Sequence, residues 1–111
     1  MARALIWSVE ARADLHGIEA YITARSPENA RRVIERIRDA SEALVDFPYA
    51  YRVVPEFQDS QRREAFVHEY RLMYRVEHEA ITILRVVHGR RLLKNVPGSF
   101  EESAQADYSA A

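Results

Sequence analysis

The chain has 111 residues, enough for one domain and one hydrophobic core. Apolar residues at 48% and charged residues at 30% exclude a disordered chain, and 17 acids against 16 bases exclude a protein that binds nucleic acid through its whole surface. The absence of cysteine excludes a disulfide framework and thiolate metal sites, and no apolar run approaches the roughly 18 residues that a membrane span requires.

Residues 3–8 predict a short strand ending on Trp7. Ser8 is placed to cap a helix with Glu10 in its first turn, and Ala11, Leu15, Ile18 and Ile22 form one apolar face. Ser26 and Pro27 stop that helix and start another, because Pro at the first helical position gives up a donor the helix does not use. The second helix turns Ala30, Val33, Ile34, Ile37, Ser41 and Leu44 inward and a mixed row of Arg, Glu and Asp outward. Phe47-Pro48 ends it. The connection between the two helices is so short that they form an antiparallel hairpin.

After Pro48 the period changes from helix to strand. Tyr51–Val54 is a candidate strand, 56–62 a loop, and 63–68 an alternating strand with Ala65 and Val67 opposite Glu64 and Phe66. Residues 71–77 alternate Leu72, Tyr74 and Val76 against Arg71, Met73 and Arg75, and His78-Glu79 form a hairpin tip. Residues 80–88 are β-branched and mostly apolar, with Ile81, Ile83 and Val87 expected on one face and Leu84 and Val86 on the other. Two helices cover one face; the tail, a second copy or a partner must cover the other. The expected architecture is α+β, in the order β-α-α-β-β-β: a small, antiparallel-rich sheet with an N-terminal helical hairpin on one face. It forms one domain over residues 1–96, followed by a weakly structured tail at 97–111 with one helix near Phe100–Asp107.

Fifteen of the 16 bases are arginine, the type suited to bidentate contact with carboxylate or phosphate. Three acids lie beyond residue 100, so residues 1–100 carry 16 bases against 14 acids. His16, His68 and His78 have no metal-ligand spacing, and neither a metal nor a cofactor is expected. Arg71 and Arg75 share a strand face; they pair either with neighbouring acids such as Glu69 and Glu77 or with carboxylates of a partner. Tyr74 fits core or rim packing. No export signal precedes the first strand, so a cytoplasmic protein is expected.

Certain residues, taken together, carry a family resemblance. They are Trp7-Ser8, Ala11, Asp14-Leu15, Ile18, Tyr21-Ile22, Ser26-Pro27, Ala30, Phe47-Pro48, Arg63-Glu64, Tyr70-Arg71-Leu72-Met73-Tyr74-Arg75-Val76 and Ile83 to Arg91. Over residues 3–94 the chain resembles the RelE/ParE superfamily of bacterial toxins from type II toxin–antitoxin systems. The resemblance implies a small toxin held inactive by a cognate antitoxin of ribbon-helix-helix or similar DNA-binding type. A toxin–antitoxin heterotetramer follows as an expected assembly.

The superfamily divides between ribosome-dependent mRNA cleavage (RelE-like) and inhibition of DNA gyrase by binding (ParE-like). Metal-free RNA cleavage needs a general base, cations on the phosphorane and an acid for the leaving oxygen. Arg71 and Arg91 match the two arginines of RelE-like enzymes, and His88 is a candidate base. The lysines of the preceding strand are absent, Glu64 stands among their positions, and Pro97 stands where those enzymes carry a tyrosine. The sequence therefore favours a ParE-like gyrase inhibitor that binds neither membrane nor DNA directly. The alternatives are a RelE-like endoribonuclease using Arg71, Arg91 and His88, and an inactive relative that only binds its antitoxin. Arg63, Arg71, Tyr74, Arg75, Leu84, Val86, Arg90 and Arg91 are the candidate antitoxin- or target-binding residues. Relatives carry a glycine after Phe-Pro; this chain has Tyr49-Ala50-Tyr51.

Overall fold

The computed structural model describes residues 3–91, 93–98 and 100, and the backbone of 107–108. The elements run β1 (Ala4–Trp7), α1 (Val9–Thr23), α2 (Pro27–Ala43), β2 (Arg52–Val53), β3 (Arg62–Val67), β4 (Tyr70–Val76), β5 (Ala80–His88), a 3₁₀ turn at Leu93–Asn95 and β6 (Asp107–Tyr108). They form a mixed sheet of order β2-β3-β4-β5-β1-β6, in which β1 lies parallel to β5 and the other pairs are antiparallel. The expected β-α-α-β-β-β order is present within it. The helix expected over 100–107 falls largely outside the described residues.

Both helices start as their caps dictate. Ser8 accepts from the Ala11 amide at 3.0 Å and Ser26 from the Asn29 amide at 3.1 Å. Each bond satisfies a donor that the first helical turn leaves free, an effect of about 1 kcal/mol. Ser8 also donates its hydroxyl to the Leu84 carbonyl, so the same side chain starts α1 and ties it to β5. The β3–β4 connection is a two-residue turn, with Val67 paired to Tyr70 and His68 left-handed at φ 56°.

The main core lies between helices and sheet. Ala11, Leu15, Ile22, Ala30, Val33, Ile34 and Ile37 meet Trp7, Leu72, Tyr74, Val76, Ile81, Ile83 and Val86. The expected face assignment of β5 is corrected here. Ile83 pairs with Tyr74 and Arg85 with Met73, so Leu84 is an extra residue, a β-bulge. The bulge shifts the alternation by one: Val86 joins Ile81 and Ile83 on the helix face, and Val87 turns to the far face.

A second cluster covers part of the far face. Val54, Met73, Val87 and Val96 are buried there, with Phe57, Leu93 and Phe100 packed against them. Val54, Phe57, Leu93, Val96 and Phe100 of the chain itself thus supply part of the cover that the sequence assigned to the tail, a second copy or a partner. Gly98 takes φ +96° beside Arg85, where a Cβ would lie 3.1 Å from Nη1.

Candidate functional site

Two polar constellations flank the end of β5. The first lies on the far face of the sheet. Arg71 on β4 is paired across the ladder with Phe66 and Val87, and its side chain reaches between two carboxylates. Its Nε donates to Glu64 Oε1 at 2.7 Å; Nη1 and Nη2 donate to Glu56 at 3.2 and 2.8 Å. Arg52 donates to the other oxygen of Glu64. The Glu64 side chain is wholly buried and that of Arg71 is 5% exposed. Burial alone lowers the Arg71 pKa, but the bonds to Glu56 and Glu64 outweigh it and raise the pKa above its ordinary value. The Arg71 hydrogen bonds hold the Glu56 carboxyl below its usual range against the opposing effect of burial.

The second constellation is a groove of about 660 Å³ between α1 and the end of β5. β1 pairs with β5 only as far as Ile83, so among the described residues no strand lies beside Leu84 to His88 on that side. Asp14 on α1 takes over part of the edge. Its carboxylate accepts from Arg85 Nε at 2.7 Å, Arg85 Nη2 at 2.9 Å and the Val86 amide at 2.9 Å. Arg85 also donates to the Pro97 carbonyl. Beyond Asp14 the groove is open. Ala13, Gly17 and Tyr21, at spacings of four on α1, form one wall; Tyr70, Val86, Val87 and His88 lie along its floor, and Arg91, Val96 and Pro97 close the other side. Tyr21 is 61% exposed.

The candidate residues separate accordingly. His88 and Arg91 line the groove, and Arg71 does not. His88 Nδ1 accepts from the Arg90 amide at 3.2 Å, while Nε2 lies 3.5 Å from Glu69. Arg91 is exposed and donates to the Asn95 carbonyl; Arg90 is exposed. Arg75 is partly exposed, with Glu77 at 4.0 Å. Arg63 is half-buried beneath the α2–β2 loop, on the helix side of the sheet. Tyr74, Leu84 and Val86 are at most 3% exposed, and of the three only Val86 lines the groove. Tyr74 donates its hydroxyl to the Pro48 carbonyl, and burial pushes its pKa up to about 12. Among the described residues, no group of acids and histidines is arranged to hold a metal and no helix is long and apolar enough to cross a membrane.

Sequence reasoning missed Asp14, Glu56 and Tyr21 as members of these sites. The Asp14-Leu15 pair stood inside the recognised pattern without an assigned role, and the four-residue spacing of Ala13, Gly17 and Tyr21 was a readable second stripe on α1. Nothing in sequence spacing reveals Glu56, because it lies in a loop 15 residues before its partner.

Comparison with known proteins accords with this geometry. The sequence model of a family described as "ParE toxin of type II toxin-antitoxin system, parDE" matches residues 5–93. The chain is 31% identical over 88 residues to Toxin RelE2 of Caulobacter vibrioides, covering 79% of this chain and 97% of that one. Its fold resembles a chain of the chromosomal ParDE system of P. aeruginosa (TM-score 0.65, 23% identity, 78% of this chain and 96% of that chain). It also resembles a chain of the RelBE2 toxin–antitoxin complex of Mycobacterium tuberculosis (TM-score 0.54, 25% identity, 79% and 99%).

Proposed function

The chain belongs to the ParE toxin family of type II toxin–antitoxin systems, within the RelE/ParE superfamily, and from that premise we propose that it is a toxin that acts by binding DNA gyrase and is neutralised by a cognate antitoxin. The observation that carries this reading is the state of Arg71. An arginine that stabilises a phosphorane must present its guanidinium to the phosphate. Here the guanidinium is held by Glu64 and Glu56, and the two carboxylates oppose any incoming phosphate. Glu64 stands among the positions where the RNase branch carries lysines, so the departure seen in the sequence is the group that occupies the arginine. His88 Nδ1 accepts from the Arg90 amide, so base catalysis by that nitrogen would first require this bond to open.

The groove between α1 and β5 is the proposed seat of the antitoxin. An extended segment laid there meets, past the bonds that Ser8 and Asp14 make to Leu84 and Val86, a β5 edge with no described strand beside it, a wall of small residues and the aromatic faces of Tyr21 and Tyr70. Arg91 at the rim suits an acidic residue of that segment. A toxin–antitoxin heterotetramer in the cytoplasm is the assembly this reading expects.

The competing reading is a RelE-like nuclease, favoured by the name of the 31% identical relative. Induction of the toxin in cells, with supercoiling by purified gyrase measured alongside, separates the two. Gyrase inhibition predicts filamentation, lost supercoiling and intact transcripts; cleavage of transcripts on ribosomes with supercoiling untouched overturns the proposal.

A further inference from the structure

The loop between α2 and β2 carries Phe47, Tyr49 and Tyr51, which are 65%, 48% and 42% exposed. Three large rings within five residues, all turned outward, are costly to leave in water. The loop beneath them is fixed. Tyr74 donates to the Pro48 carbonyl at 2.7 Å from inside the core. Arg63 donates to the carbonyls of Tyr51 at 2.9 Å, Tyr49 at 3.4 Å and Ser60 at 3.0 Å. The Arg63 guanidinium also lies 4.8 Å from the centre of the Tyr49 ring, whose hydroxyl donates to Gln61. A loop backbone held this way, with the Tyr49 ring fixed upon it, loses little freedom when something docks on it.

We propose that Phe47, Tyr49 and Tyr51 form the surface through which this toxin grips its target, and that the target presents an apolar pocket flanked by a carboxylate. This rests on the binding-toxin reading and adds to it a surface separate from the α1–β5 groove. Tyrosine and arginine with a neighbouring aromatic are the residue types that dominate binding energy at protein interfaces. The carboxylate follows from Arg63. Among the described residues it bonds only to carbonyl oxygens, so its charge has no acid paired with it, and Nη2 keeps its donors. A nucleic-acid strand is a poorer fit, because it calls for a row of cations along the phosphates. Here the segment 46–54 has one base, Arg52, already paired with Glu64, and one acid, Asp46. One face of Tyr49 is also taken by Arg63, which halves the stacking area open to a base.

The test compares the full chain with Phe47→Ser/Tyr51→Ser and with Ala50→Glu and Ala50→Lys, which place opposite charges on the exposed residue between the two tyrosines. Growth arrest on induction reports the surface whatever the target is; supercoiling by purified gyrase reports the target. Thermal unfolding and binding to the co-expressed antitoxin check that each variant is folded. The double variant and Ala50→Glu should lose growth arrest and weaken gyrase inhibition by about tenfold or more, the size expected when a central aromatic anchor is removed. Ala50→Lys should stay within about threefold, since a rim charge of the favourable sign changes affinity little. Full arrest by the folded double variant overturns the surface. Equal losses from Ala50→Glu and Ala50→Lys overturn the acidic partner. Saturable binding of a labelled single-stranded RNA by the wild type, lost in the double variant, assigns the surface to nucleic acid and overturns the proposal. A wild type that arrests growth while supercoiling proceeds removes gyrase as the target, and the variants' growth then decides the surface alone; a wild type that arrests nothing overturns both.

Discussion

Arg71 donates to Glu64 at 2.7 Å inside the protein, joining adjacent strands β3 and β4 through two side chains almost without solvent exposure. A buried pair of this kind adds little over apolar packing, but removal of one partner strands the other charge, at a cost of about 3–5 kcal/mol. Glu64→Ala should sit at the lower end of that range, because Glu56 still holds Arg71. Glu64→Met/Arg71→Met should recover most of the loss. Urea unfolding of the two variants checks this, and a Glu64→Ala variant as stable as the wild type contradicts it. The same series bears on function: if Arg71 plays no part in the toxic activity, the folded double variant keeps its growth arrest.

Asp14 and Arg85 make the corresponding joint between α1 and the bulged part of β5. The carboxylate takes two guanidinium bonds and the Val86 amide, with 14% and 6% of the two side chains exposed. Asp14→Ala removes the acceptors and leaves an amide and a guanidinium short of partners, for a loss of about 3 kcal/mol. Asp14→Asn keeps an acceptor for the amide and should lose less. Hydrogen exchange at Val86 should quicken in both variants before the rest of β5 does.

The helices were legible because each is written by local chemistry: a serine cap, a proline at the first turn and apolar residues at helical spacing. The alternation of β4 was legible for the same reason, with Leu72, Tyr74 and Val76 against Arg71 and Met73. The faces of β5 were not, because Leu84 is one apolar residue among many and nothing local marks it as the bulge. Its extra residue is defined by the register of β4, a partner many residues away. Of the binding candidates on these strands, Tyr74, read from the sequence as core or rim packing, and Leu84 are enclosed, while Val86 lies in the groove. Arg71 was recognised by type and position, but its state depends on Glu56 in a loop, which only the folded chain brings within reach.

Glu56 gives the ion network a pH dependence. Its folded pKa lies below the ordinary value of 4.5, chiefly through the Arg71 hydrogen bonds. A depressed carboxyl stabilises the fold fully above its unfolded pKa, and that contribution is lost as pH falls through the folded value. Stability should therefore decline with acid below about pH 4.5 more steeply in the wild type than in Glu56→Gln. Denaturant midpoints across pH 3 to 7 test the sign: curves that stay parallel throughout refute it.

Gly17 offers a separate test of the groove. It lies in the middle of α1, and a Cβ placed there meets nothing within 4 Å. Among the described residues, then, no close packing demands glycine, yet glycine weakens a helix interior by about 0.5–1 kcal/mol relative to alanine. The empty space opens on the groove between Ala13 and Tyr21, so the small residue keeps room for something laid across α1. Gly17→Ala should raise the stability of the free toxin by about that amount. Gly17→Trp should leave the free toxin folded but fill the groove, so that the co-expressed antitoxin no longer restrains growth arrest. If the antitoxin neutralises Gly17→Trp as fully as the wild type, it docks elsewhere, and the groove loses its assigned occupant.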